Sequence, residues 1–243
     1  MAGETEFNQE TQTPANPFDS LISRTDSTTF KDVDWRARIR PKRGGEKFAY
    51  GLVDSKGEEQ KDSILKPLQD RGGIVYPYTP DIFLQASVDY NEAQQHGSNY
   101  PFYTFISSRP TTLPITGTFT ANTIEEGQYM LAVFHFLRSV TKAYYGDAAV
   151  TGGYYGTPPP VLLFEYLGEF GFNKLPVIIR NYNFQLPADV DYVPVKFKGT
   201  TTMMPTETSV MIELAPQYTY RKTRKRFDLN AFTSGKQYNQ GFI

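Results

Sequence analysis

Between residues 112 and 121 two sets of positions alternate, one apolar or small and the other threonine but for Pro114. Leu113, Ile115, Gly117, Phe119 and Ala121 fall on one side, and Thr112, Pro114, Thr116, Thr118 and Thr120 on the other. A period of two over ten residues is the mark of a strand with one buried and one wet face. The same period runs through residues 82–90, where Ile82, Leu84, Ala86, Val88 and Tyr90 oppose Phe83, Gln85, Ser87 and Asp89. Residues 35–40 set Trp35, Ala37 and Ile39 against Arg36, Arg38 and Arg40, which predicts a half-buried strand with a basic outer face. Residues 100–106 are apolar on both sides and predict a strand buried on both. Further strands are expected at residues 161–167, 177–186, about 195–203 and 209–220.

At Thr123 the period changes. Thr123 and Glu126 stand in a capping box, where hydroxyl and carboxylate each satisfy an orphan amide at a helix start. Met130, Val133, Phe134, Leu137, Val140 and Tyr144 then follow at spacings of three and four. This predicts one long helix over about 123–145, with Arg138 and Lys142 near its end and Gly146 as its stop. Residues 151–160, with three glycines and three prolines, must be a loop. Residues 41–71 are charged and punctuated by glycine, which predicts a hairpin through 48–53 and then a loop. Residues 1–30 show neither period and are read as an extended arm, anchored by Phe18 and Leu21, that orders against a partner. The element order, strands then one helix then strands, predicts a mainly β domain over 31–220, its antiparallel or mixed sheet closed on one side by the helix. A basic tail follows over 221–243.

Composition narrows the function classes. The 243 residues hold 18 Phe and 17 Tyr, ample for a core and for interfaces. The 25 basic and 26 acidic residues nearly cancel, so overall charge gives no reason to expect tight binding to nucleic acid or to an anionic membrane. The chain contains no cysteine, which excludes disulfides and thiolate metal sites. Its first residues lack the basic and apolar regions of a signal peptide, and no stretch approaches the ~20 apolar residues of a spanning helix. A soluble protein without an export signal is expected, with no membrane partner.

Candidate chemistry is sparse. His96 and His135 lie in unrelated settings, and no metal-binding, nucleophile-elbow, phosphate-loop or dinucleotide motif occurs. Gly152, Gly153 and Gly156 resemble a phosphate cradle only in composition, because proline follows where a helix N-terminus is needed. Asp189 and Asp191 are the one carboxylate pair that suggests glycoside hydrolysis or calcium binding, but a turn after Pro187 is the commoner setting for two aspartates. No catalytic residue, cofactor or metal is therefore expected. Arg221, Lys222, Arg224, Lys225 and Arg226 put five positive charges in six residues, suited to phosphates or to an acidic neighbour. Acidic counterparts exist at Glu125, Glu126, Asp189 and Asp191, so opposed patches of two copies can pair.

The most informative stretch is Leu175-Pro-Val-Ile-Ile-Arg-Asn-Tyr-Asn-Phe-Gln-Leu-Pro-Ala-Asp-Val-Asp-Tyr-Val-Pro194, a long strand stopped by proline and followed by an acidic turn. Together with Met204-Pro-Thr206, Val210-Met-Ile-Glu-Leu-Ala-Pro216, Phe227-Asp-Leu-Asn-Ala-Phe-Thr-Ser-Gly235 and the final Gly-Phe-Ile, it resembles the baseplate tail-tube proteins of contractile-tailed bacteriophages. The likeness covers about residues 73–243 and rests on no catalytic motif. It implies a tail-tube β-sandwich or partly open barrel with one flanking helix, six copies of which form a ring with a continuous inner β-barrel. It implies a non-enzymatic virion protein, assembled in the host cytoplasm, on whose ring the tube polymerises and through which DNA passes. Its partners would be its own copies, a stacked tube ring and the baseplate hub or wedge proteins. Members often carry a small peptidoglycan-binding-type domain, for which no segment here is long enough, so initiator and junction rings both stay open.

In such a ring the wall must be polar yet must not hold phosphates. Thr112, Thr116, Thr118 and Thr120, with Asn181, Asn183 and Gln185, would supply an uncharged hydrogen-bonding face to the lumen. Phe18, Leu21, Asp189, Asp191 and the basic run 221–226 would serve interfaces. A carbohydrate- or receptor-binding β-module is the alternative, suggested by the tyrosines and the Gly153-Tyr-Tyr-Gly156 loop.

Overall fold

A computed structural model describes residues 35–43, 45–50, 63–145 and 156–243. The N-terminal arm with Phe18 and Leu21, residue 44, residues 51–62 and the glycine-rich residues 146–155 lie outside the described residues.

In chain order the elements are β1 (Arg38–Pro41), α1 (Glu46–Ala49), α2 (Lys66–Asp70), β2 (Ile74–Val75), β3 (Asp81–Ile82), β4 (Ala86–Ala93), β5 (Phe102–Pro110) and β6 (Leu113–Thr120). There follow α3 (Ile124–Val140), β7 (Leu162–Tyr166), β8 (Phe172–Phe184), β9 (Tyr192–Phe197), β10 (Thr200–Pro205), β11 (Glu207–Pro216), α4 (Tyr220–Arg226), α5 (Leu229–Thr233) and a 3-10 turn (Tyr238–Gln240). Seven strands form one sheet in the order β2-β1-β7-β8-β11-β6-β3, with β9-β10 and β4-β5 as separate two-stranded sheets. Every pairing among them is antiparallel. The described residues are mainly β, as expected, but they hold α1, α2, α4 and α5 besides the one helix expected.

The core lies on one face of the large sheet. Leu113, Ile115, Leu162, Phe164, Leu175, Val177, Val210, Ile212 and Leu214 are fully buried there. Against them packs α3, whose Met130, Ala132, Val133, Phe136 and Leu137 are equally enclosed. Phe134 of α3 meets Phe184 of β8 edge-on at 5.0 Å between ring centres. The capping box at Thr123 forms as expected: the Thr123 hydroxyl accepts from the Glu126 amide at 3.2 Å, and the Glu126 carboxylate accepts from the Thr123 amide at 3.3 Å. The helix ends at Val140, short of the expected 145, with Thr141 at its C-cap and the Thr141 hydroxyl donating to the Leu137 carbonyl at 3.0 Å. Gly127 lets β9 lie close on the first turn of α3, since a Cβ there would stand 2.8 Å from Val195.

The two edges of the large sheet, β2 and β3, are joined by only residues 76–80. Seven strands about 4.8 Å apart would span about 29 Å if flat, whereas the chain from Val75 to Asp81 reaches at most about 21 Å. The sheet therefore curls. Tyr76 makes the turn by laying its ring on β6, where any Cβ at position 117 would collide with it and only glycine fits. Tyr129 of α3 pins the neighbouring edge: its hydroxyl accepts from the Val75 amide at 2.7 Å and faces the Gly73 carbonyl, as donor, at 3.1 Å. Burial pushes both phenols up, and at Tyr129 the Val75 amide opposes that rise.

Several expectations need correction. The hairpin expected through 48–53 begins instead as the helical turn α1. The single strand expected over 82–90 is broken into β3 and β4 at Phe83–Gln85, and its far half leaves the large sheet. The strand expected to be buried on both faces, 100–106, is β5, and it is exposed on both: Phe102, Tyr103, Phe105 and Ile106 keep 58–62% of their surface. The strand expected over 195–203 is the hairpin β9-β10, turned at Lys198 and Gly199, both at positive φ. Residues 217–243 fold into α4, α5 and the 3-10 turn. Buried Gln237 holds them together, donating to the Arg226 carbonyl at 2.7 Å and accepting from the Asp228 amide at 3.4 Å.

Tyr129→Phe removes the bond that ties β2 to α3 and should cost about 1–3 kcal/mol of unfolding free energy. Tyr76→Phe removes a hydroxyl that has no hydrogen-bond partner among the described residues, and should cost little. Urea unfolding of the two variants separates these outcomes. His135, its pKa lowered first by burial and then by Arg138, predicts a pH effect. Protonation is harder in the folded chain, so stability should fall as pH drops from about 6.5 through the lower folded value. His135→Gln should flatten that part of the profile in melts across pH 5–8.

Candidate functional site: the open face of the sheet

Because the side chains of a strand alternate, burial of one face of the large sheet forces the other outward. On that outer face β6, β11 and β8 set their residues side by side. Thr116 pairs with Met211, which pairs with Asn183; one step along, Thr118 pairs with Ser209, and the Ser209 carbonyl accepts from the Gln185 amide at 3.0 Å. Pro114, Glu213 and Asn181 form the row on the other side. Asp81 of β3 extends the first row by pairing with Thr116. Six of the seven residues expected to line a lumen, from two stretches sixty residues apart, thus share one surface. Thr112 lies one residue before β6.

One irregularity shapes this surface. Between Glu213 and Leu214 the β8 partner jumps from Asn181 to Ile179, so Arg180 is an extra residue in a β-bulge. Arg180 and Asn181 both face water, while Ile179 on one side and Tyr182 on the other pack against the core. Without the bulge the Asn181/Asn183 set would face the core. Arg180 reaches Glu213 at 3.8 Å. Farther along the face, the Arg40 guanidinium grips Glu165 with two bonds of 2.7 and 3.2 Å, and this contact with Glu165 holds the Arg40 pKa above its ordinary value.

Charges of both signs stand among the hydroxyls and amides: Glu207 and Glu213 on β11 and Asp81 on β3, against exposed Lys174 and Arg180 on β8. A surface of this kind offers hydrogen bonds to water and little to a phosphate. Thr120 is tied to Tyr78, with 3.3 Å between their hydroxyl oxygens. Thr208, on the buried side, donates its hydroxyl to the Gln185 carbonyl and fixes the end of β8.

The remaining candidates lie elsewhere. Asp189 and Asp191 are exposed in the turn after β8, which is braced by the Tyr192 hydroxyl donating to the Pro187 carbonyl at 2.7 Å. Both side chains face open solvent and line none of the clefts among the described residues. Among the described residues no group of three or more His, Asp or Glu side chains is placed to hold a metal, and no helix is long and apolar enough to cross a membrane. The basic run occupies α4, with Arg221, Arg224, Lys225 and Arg226 exposed. Lys222 folds back over the rings of Phe242 (4.9 Å) and Tyr218 (5.4 Å); burial, then Arg226 and Lys42, lower its pKa. Sequence reasoning missed Asp81 and Met211 as members of the open face. Their own alternation was a usable signal, but their register against Thr116 was not.

Lysine placed at Thr116 or Asn183 points into water, so each variant should stay within about 0.5 kcal/mol of the parent in chemical unfolding. A loss of several kcal/mol would mean the face is covered. A scan against protein-family models finds no match to this chain, and a search of curated proteins finds none.

Proposed function

We propose that the chain is a non-enzymatic structural subunit of a contractile phage tail. In this reading six copies form a baseplate ring, as tube initiator or junction, on which the tail tube polymerises. The open face of β6, β11 and β8 then lines the lumen, its strands joining an inner barrel shared by the ring, and DNA passes without being held. The observation that carries the reading is the row Asp81–Thr116–Met211–Asn183 with its neighbours, a broad face rich in hydroxyl and amide groups. Such a wall is wetted and offers a polyanion few free cations, Arg180 being paired with Glu213 at 3.8 Å. The very short edge strands β2 and β3 and the chain's separate hairpins leave main-chain groups that neighbouring copies in a closed ring would satisfy.

One observation favours a second reading, binding of carbohydrate. Trp35, Tyr76, Tyr78 and Tyr166 line a cleft of about 290 Å³ with Arg36 at its side, and aromatic faces are good surfaces for sugar rings. The Gly153-Tyr-Tyr-Gly156 loop that first suggested it lies largely outside the described residues.

Mass measurement of the purified assembly, followed by electron microscopy for an axial channel, tests the first reading. A six-fold ring, or stacking of the protein on tube subunits, is the expected result. A monomer that takes no place on tube subunits and instead binds specific glycans on an array would replace it with the second.

A further inference from the structure

The ribbon β4-β5 is the least protected apolar surface among the described residues. Tyr90, Tyr100, Phe102, Tyr103, Phe105 and Ile106 keep between 55% and 79% of their surface in water. At ~200 Å² for a large side chain, the rings that share one face, Tyr90, Tyr103 and Phe105, and the bulged Ile106 leave on the order of 450 Å² exposed, more than half of the ~800 Å² that one partner contributes to a standard interface. A two-stranded ribbon is marginal in water without something to pack on. One of its faces is specifically aromatic. The register places Tyr90 opposite Phe105 and Glu92 opposite Tyr103, and the Tyr90 and Phe105 rings meet edge-on at 5.9 Å. Ile106 is the bulged residue beside them.

The same chain carries a matching surface. Beyond β7 and β8 a groove of about 420 Å³ is lined by Phe170, Phe172, Phe232, Tyr238, Phe242 and Ile243, with Leu84 at its end. The Phe170 and Tyr238 rings meet at a tilt with 4.8 Å between centres, and Phe227 and Phe242 stand edge-on at 5.2 Å. Its rim is basic. The Lys222 ammonium lies over the Phe242 ring of its lining at 4.9 Å, and exposed Lys236 adjoins Gly235 and Gln237 of that lining, against a ribbon face whose one charge is Glu92.

We infer that the aromatic face of β4-β5 in one copy lies in the C-terminal aromatic groove of a second copy, with Glu92 directed to the basic rim. The contact is heterologous, ribbon into groove, so it propagates from copy to copy and closes into a ring when the rotation permits. It deepens the ring reading above by naming which parts of neighbouring subunits meet, and it uses neither the open face of the sheet nor its edges.

The absence of native cysteine makes the test direct. Full-length Tyr103→Cys or Phe105→Cys chains are mixed with Phe232→Cys or Tyr238→Cys chains and treated with a short bis-maleimide. A cross-linked dimer should form in the mixtures and not in either variant alone. Ribbon-to-ribbon product, or no product in any mixture, overturns the inference. A second variant, Phe105→Asp, should weaken self-association at least about tenfold at an unchanged melting temperature, because the side chain is exposed in the single chain; unaltered association overturns it equally. A ring with an axial channel but no ribbon-to-groove product would sink this contact and leave the ring standing. A cross-linked pair without a channel would do the reverse.

Discussion

The inner face of the seven-stranded sheet has to leave water, and one helix supplies most of its cover. Val210, Ile212 and Leu214 on β11, Leu113 and Ile115 on β6, and Leu175 and Val177 on β8 are all at zero exposure beneath α3. Each such side chain contributes on the order of 1.5–3 kcal/mol by leaving water, so the layer exceeds any single polar contact in the molecule. Its polar ties serve placement. The Tyr129 hydroxyl fixes where β2 ends, and Gly117 leaves room for the Tyr76 ring that carries the chain from one sheet edge to the other.

From this one-sided burial the functional surface follows. Strands that hide one face must show the other, and three long strands in register turn scattered threonines and asparagines into a continuous polar wall. The bulge at Arg180 keeps that wall on one side while β8 still delivers Leu175 and Val177 to the core before it and Tyr182 and Phe184 after it. One extra residue thus reconciles a strand of thirteen residues with two demands. The small sheets and the C-terminal helices are additions around this frame. Both carry aromatics that the core has no room for.

The faces of β6 were legible because a single period runs through it without interruption, and the start of α3 was legible because Thr123 and Glu126 form a local device; the strand expected over 209–220 is β11, which stops at Pro216. Residues 82–110 misled for a physical reason. Ile82, Val88, Phe105 and Ile106 have the composition of buried strand residues, and composition records what could be buried, not whether anything arrives to bury it. The long ribbon pairs with itself, with one bulge at Ile106, and forms a sheet separate from the large one, so the same apolar alternation ends in water.

By itself, the sequence determined the periods: which side chains of residues 113–120 and 207–216 turn together, where the long helix begins, and that Asn181, Asn183 and Gln185 share a face. Those properties depend on neighbours within a few residues, where backbone geometry leaves few choices. Tertiary structure decided which strands lie beside one another, that Thr116, Met211 and Asn183 form one row with Asp81, that β2 and β3 are brought round by Tyr76, and that the β4-β5 aromatics stay outside. These depend on contacts between residues up to a hundred or more positions apart, such as Arg40 with Glu165, whose pairing is set by the burial of a whole face at once and leaves no local trace.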